Sequence, residues 1–228
     1  MSEFNSLQIF AIFVIPVIFA ITVHEASHGW MAKKLGDSTA QMLGRLTFNP
    51  IPHIDPVGTI LVPLGLYLFS QITGGPFFLF GWAKPVPINW NNLNKPKRDI
   101  GLVALAGPGA NLLMALVWVA AIYIGAMSLE MFRWFGLPLL MMGVAGVLIN
   151  ALLMVLNLLP VPPLDGGRVV YSLLPAKQAQ VYSRLEPYGL FIILILFILG
   201  PLKIILWLGV DLVISILPAT DIIKTVLQ

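Results

Sequence analysis

Five consecutive residues hold most of the chemistry open to this chain: His24, Glu25, Ala26, Ser27 and His28, the pattern H-E-x-x-H. Residues four apart on a helix share one face, so both imidazoles can address a single metal ion. Glu25, rotated about 100° from His24, can reach water beside that ion. Two histidines do not complete such a site, because catalytic zinc usually takes three protein ligands and keeps a fourth position for water. The 228 residues include no cysteine, which excludes a thiolate ligand, a cysteine nucleophile and any disulfide, and leaves His, Asp or Glu as the third ligand. The candidates are His53, the one other histidine, and the carboxylates Asp37, Asp55 and Asp165. Asp165 is the strongest of these. It closes the segment Asn157-Leu158-Leu159-Pro160-Val161-Pro162-Pro163-Leu164-Asp165, in which prolines end a helix, and Gly166 and Gly167 then permit a close backbone approach.

The elements that must carry these residues are apolar. Hydrophobic residues make up 58% of the chain and charged residues 10%, against about 25% charged in soluble domains. Residues 4–23, 56–83, 100–129, 134–164 and 187–202 contain no Asp, Glu, Lys, Arg or His, and a spanning helix needs about 20 mostly apolar residues. The composition predicts an all-α polytopic membrane protein of one domain, residues 1–228, with a catalytic core over about 7–187 and a hydrophobic C-terminal segment over 188–228. The first run lacks a basic flank and a small-residue cleavage site, so it is read as the first helix. In a soluble protein the pattern H-E-x-x-H could be two surface histidines. Within an apolar run each ionisable residue costs about 2.5–3.5 kcal/mol at membrane depth, which makes a functional metal site the better reading.

Lys and Arg gather on the cytoplasmic side of membrane proteins. Ten of the 13 basic residues fall in three segments: Lys33, Lys34 and Arg45; Lys84, Lys95, Lys97 and Arg98; Arg168, Lys177 and Arg184. With all three on the cytoplasmic side, helices run inward over about 7–34, outward over about 100–126 and inward over about 137–159. A fourth apolar stretch leads outward from about Tyr188 until Gly200 and Pro201 interrupt it. Residues 56–83 then begin and end on one side, so this glycine- and proline-punctuated run is expected to re-enter the membrane and return, lining a cavity. The net charge of +3 reads as membrane topology, and a nucleic-acid partner is not expected. The site should lie toward the cytoplasm, in a prokaryotic cell membrane.

The two motifs together resemble the site-2 protease family of intramembrane zinc metalloproteases, in its compact form without a PDZ domain. His24, Glu25 and His28 match H-E-x-x-H, and Asn157, Pro160, Pro162, Leu164, Asp165 and Gly166 match N-x-x-P-x-P-x-L-D-G. Residues 44–49, 53–56, 80–85 and 106–108 are similar to the same family, and the likeness covers roughly residues 10–190. The resemblance implies that His24, His28 and Asp165 bind Zn2+, that Glu25 is the general base, and that Asn157 helps position the substrate carbonyl or its oxyanion. It implies regulated cleavage of transmembrane proteins or peptides, within or near their membrane segments.

Other residues have weaker claims. His53 could be a replaceable ligand or a substrate contact, or could simply pair with Asp55 or backbone. Asn111 and Asn150 read as partners in ordinary interhelical hydrogen bonds. Residues 44–49 alternate well enough for a short β-strand, whose edge could pair with an extended substrate. Two rival functions use the same ligands. A divalent-metal transporter would need polar groups on both sides of the midplane, which the outward halves of the long helices lack, and an inactive zinc-binding scaffold would have no use for Glu25.

Overall fold

The computed structural model describes residues 6–62, 64–65, 68, 72 and 83–227. The described residues are helical throughout, joined by turns. Helix α1 runs over Ser6–Lys34, and a single short turn of helix, α2, over Thr39–Met42. Two long helices follow, α3 (Pro96–Ser128) and α4 (Arg133–Asn157), then α5 (Asp165–Leu173), α6 (Ala176–Ser183), α7 (Gly189–Leu199), α8 (Pro201–Ser215) and α9 (Thr220–Leu227). Four stretches are long and apolar enough to cross a membrane: Gln8–Lys34, Pro96–Ser128, Arg133–Asn157 and Ala176–Leu199. At 1.5 Å per residue the 33 residues of α3 reach about 50 Å, well beyond a hydrocarbon core of about 30 Å.

Helices α3 and α4 form the central pair, and α1 packs across both. In a bilayer lipid tails are as apolar as side chains, so helices associate through close packing of small residues and through polar groups. Both devices are present. A Cβ on Gly125 would stand 2.5 Å from the Leu140 backbone nitrogen, and one on Gly143 would stand 2.7 Å from Ile122. Trp118, Ile122, Leu140, Val144 and Val147 fill the seam toward the α3–α4 connection, where Ile214, Leu217 and Ile223 of the C-terminal segment join them. Gly209 of α8 lies against Val155 near the other end of α4, so α8 runs antiparallel to α4. Gly200, at φ +103°, turns the backbone between α7 and α8. The first residue of α8, Pro201, needs no amide partner.

One sequence expectation changes here. No β-strand occurs among the described residues, and residues 44–49 in particular form a turn, a bend and irregular chain. The cause is local competition. The Asn49 amide donates to Thr47 Oγ1 at 3.0 Å and the Ile51 amide to Asn49 Oδ1 at 3.1 Å, so side chains take donors that a strand ladder would need. The re-entrant path expected of residues 56–83 falls largely outside the described residues. Its first turn, Pro56–Leu61, is a π-helix. Its two ends lie together, because the Lys84 amide donates to the His53 carbonyl at 2.9 Å.

Candidate metal centre

Two elements bring three donors to one point. His24 and His28 stack one turn apart on α1, their rings nearly perpendicular with centroids 4.7 Å apart. Asp165 is the first residue of α5. Its Oδ2 lies 3.2 Å from His24 Nε2 and 3.3 Å from His28 Nε2, and the two Nε2 atoms are 3.1 Å apart. All three residues are buried. The α5 helix can start here because Gly167 lies against the Pro162 backbone, where a Cβ would come within 2.6 Å of the Pro162 nitrogen, and Gly166 lies against the Leu158 and Leu159 carbonyls. The close backbone approach expected of the paired glycines is present.

The imidazoles are oriented from α3. His28 Nδ1 donates to the Val103 carbonyl at 2.7 Å, and His24 Nδ1 meets Asn111 Oδ1 at 2.5 Å. Between these acceptors, on the same helical face, sits Gly107. A Cβ there would lie 2.5 Å from His28 Nε2 and 2.6 Å from His24 Cε1, so glycine is what lets α3 approach both rings. With each Nδ1 acting as a donor, both Nε2 lone pairs face Asp165 Oδ2, itself buried without a hydrogen-bond donor. Three lone pairs at 3.1–3.3 Å repel one another unless a cation lies between them. Zinc bonds of about 2.0–2.1 Å in tetrahedral geometry separate neighbouring donors by about 3.4 Å. Zinc therefore fits this cradle with the helices where they stand.

The remaining candidates go elsewhere. Asp37, fully buried, accepts from the Thr39 amide and hydroxyl, the Asn89 amide and the Asn92 side chain. Asp55 caps the π-helical turn by accepting from the Val57 and Gly58 amides. His53 is buried, with Nε2 donating to the Thr47 carbonyl at 3.1 Å, and is not part of the three-residue cluster. Glu25 follows His24 on α1 and accepts from the Val86 amide at 2.8 Å, its partner lying in an irregular segment between Pro85 and Pro87. Arg45 holds that segment through the Lys84 carbonyl at 3.0 Å. Asn157, the last residue of α4, donates to the Leu153 carbonyl of its own helix at 3.0 Å.

Sequence reasoning missed the part played by Asn111, whose carbonyl faces His24, 87 positions away. Its spacing of four residues from Gly107 on a face of small residues is the one local sign that it looks at α1.

Comparison with known proteins points to a zinc metalloprotease. A profile described as "Peptidase family M50" matches residues 136–200. A Bacillus subtilis (strain 168) protein named "Putative zinc metalloprotease YwhC" is 36% identical over 202 residues, 88% of this chain and 86% of that one. Rip2 of Mycolicibacterium smegmatis, which bears the same description, is 27% identical over 190 residues, 83% of this chain and 68% of its own length. No solved structure matches the chain. A membrane-embedded helical bundle with a buried two-histidine, one-carboxylate cradle defines an intramembrane metalloprotease. The chain belongs to peptidase family M50, the site-2 proteases, and is an intramembrane zinc metalloprotease. Its class acts on membrane-protein substrates in the bilayer.

Proposed function

We propose that His24, His28 and Asp165 hold the catalytic zinc, with Glu25 as general base and Asn157 as a substrate-positioning amide. The observation that carries this reading is the convergence of two bare Nε2 atoms and one undonated carboxylate oxygen at 3.1–3.3 Å. Zinc, when bound, supplies a Lewis acid that acidifies water and polarises a peptide carbonyl. Glu25 takes the proton of the attacking water and delivers it to the leaving amine, as general acid–base catalysis requires. The Val86 amide fixes which way its carboxylate points. Asn157 spends one amide hydrogen on Leu153 and has a second for a substrate carbonyl.

The substrates are transmembrane segments or membrane-bound remnants of other proteins, cut in a prokaryotic cell membrane from a site toward the cytoplasmic face. The basic residues support that orientation. Lys33 and Lys34 end α1 just past the metal ligands, and Arg168 follows Asp165 by three residues. The full 228 residues act as one membrane-embedded unit, in keeping with the packing of α8 and α9 on α3 and α4. The deciding experiment incubates purified, zinc-loaded protein with a panel of transmembrane peptides and reads products by mass spectrometry. Cleavage that requires zinc supports the reading, and zinc flux in proteoliposomes without any cleavage overturns it.

A further inference from the structure

Behind His24 a line of hydrogen bonds crosses two more helices. His24 Nδ1 meets Asn111 Oδ1, Asn111 Nδ2 donates to Asn150 Oδ1 at 3.1 Å, and Asn150 Nδ2 donates to the Gly146 carbonyl at 2.8 Å. Both asparagines are completely buried. The line has only one workable direction. A backbone carbonyl accepts and never donates, so Asn150 must turn its NH2 toward Gly146. Its carbonyl then faces Asn111, whose NH2 must point back at it. The carbonyl of Asn111 is left toward His24, and an acceptor there requires the imidazole proton on Nδ1. Reversing either amide would set two acceptors, or two donors, against each other between fully buried side chains. The anchoring carbonyl is itself held in place, because Gly146 packs closely against the Trp118 indole.

We propose that Asn111 and Asn150 are positioning residues for the metal centre, forming a one-way relay that holds His24 with its proton on Nδ1 and its Nε2 lone pair toward His28 and Asp165. This rests on the assignment of His24 as a metal ligand. The relay ties ligand orientation on α1 to the packing of α3 on α4. Partners that orient a ligating histidine are commonly worth about 10- to 100-fold in metal affinity.

The test measures zinc affinity by chelator competition on the full-length protein in detergent, with fold checked by helical signal and elution volume. Asn111→Leu, similar in size but unable to accept, should bind zinc about 10- to 100-fold more weakly. Asn111→Asp keeps an acceptor for Nδ1 but sets it beside the Asn150 carbonyl with no amide to donate, so it should bind zinc more weakly than the parent and more tightly than Asn111→Leu. Asn150→Leu frees Asn111 to turn and should show a smaller loss than Asn111→Leu. The zinc-loaded parent, labelled with 15N-histidine, should show an exchange-protected His24 Nδ1 proton. That signal should persist in Asn111→Asp and exchange rapidly in Asn111→Leu. Parent-like affinity in Asn111→Leu, or a protected proton on Nε2 in the parent, overturns the relay. Should Asn111→Leu fail to fold, the parent spectrum and Asn150→Leu decide. His24→Ala separates the two claims: if it binds zinc as the parent does, the ligand assignment fails, whereas loss of zinc there with parent-like Asn111→Leu defeats the relay alone.

Discussion

The seam between α3 and α4 is built in two ways along its length. Near the connection between the helices it is apolar and is closed by Gly125, Gly136 and Gly143 against backbone and Ile122. Toward the other end it carries Asn111, Asn150 and the cradle of His24, His28 and Asp165. The first half stabilises chiefly by packing, since its buried side chains are hydrocarbon apart from the Trp118 indole. The second half fixes directions, because hydrogen bonds hold rings and carbonyls at set angles where packing alone would let them turn. Damage to the first should therefore appear as lost stability, and damage to the second as lost chemistry in a protein that is still folded.

The largest effect should come from Glu25→Gln. The substitution keeps the shape of the side chain and an acceptor for the Val86 amide, but cannot take a proton. Cleavage of a transmembrane peptide should fall by about 10²- to 10⁴-fold while zinc content, read by metal analysis, stays at the parent level. A variant with near-parental cleavage would remove Glu25 from the reaction.

Paired glycine substitutions sharpen the contrast between the two halves. Gly107→Ala puts a methyl within 2.6 Å of both imidazoles, so zinc affinity should drop by the roughly 10- to 100-fold typical of misoriented ligands. Gly125→Ala drives a methyl into the Leu140 backbone, and should cost about 1–3 kcal/mol of stability with zinc affinity of the folded fraction unchanged. Equal zinc loss in both would show that the halves are not independent.

The same division explains what the sequence made legible. Uncharged runs long enough to span a bilayer located α1, α3 and α4 to within a few residues, because in lipid the backbone has little choice but helix. His24, Glu25 and His28 stood out since charge in such a run is costly, and Asp165 because prolines end a helix just before it and paired glycines follow. The α5 helix did not, because it opens on Asp-Gly-Gly, which reads locally as a turn. Residues 44–49 alternate like a strand, yet the Thr47 and Asn49 side chains divert the amides. Asn111 and Asn150 were visible as polar residues but not as partners of His24. That pairing depends on how three helices cross, which no local spacing encodes.

A smaller effect is expected outside the seam, at Asp37. Burial pushes its carboxyl up, but hydrogen bonds from Thr39, Asn92 and Asn89 outweigh burial and hold it below the ordinary carboxylate range. A carboxyl lowered on folding adds stability that is fully present above its unfolded value, about 3.9, and is lost as pH falls through the lower native value. Asp37→Asn should cost about 2 kcal/mol at neutral pH and flatten the stability profile below about pH 4. A parent and variant whose unfolding midpoints fall in parallel with acid would show that Asp37 does not contribute in this way.

The smallest effect should be that of His53→Ala on zinc. His53 is buried and hydrogen-bonded to the Thr47 carbonyl, while its own carbonyl receives the Lys84 amide. The imidazole thus closes the loop that leads toward the Lys84–Pro85–Val86 segment, and that segment reaches the centre through Glu25. Removing the ring leaves all three donors and both Nδ1 acceptors in place. Zinc stoichiometry should stay near that of the parent, whereas Asp165→Ala, which removes the lone carboxylate of the cradle, should lower it sharply. Because Glu25 depends on the Val86 amide for its direction, His53→Ala should reduce cleavage more than it reduces zinc. If metal analysis instead ranks His53→Ala below Asp165→Ala in zinc content, the third ligand has been assigned to the wrong residue.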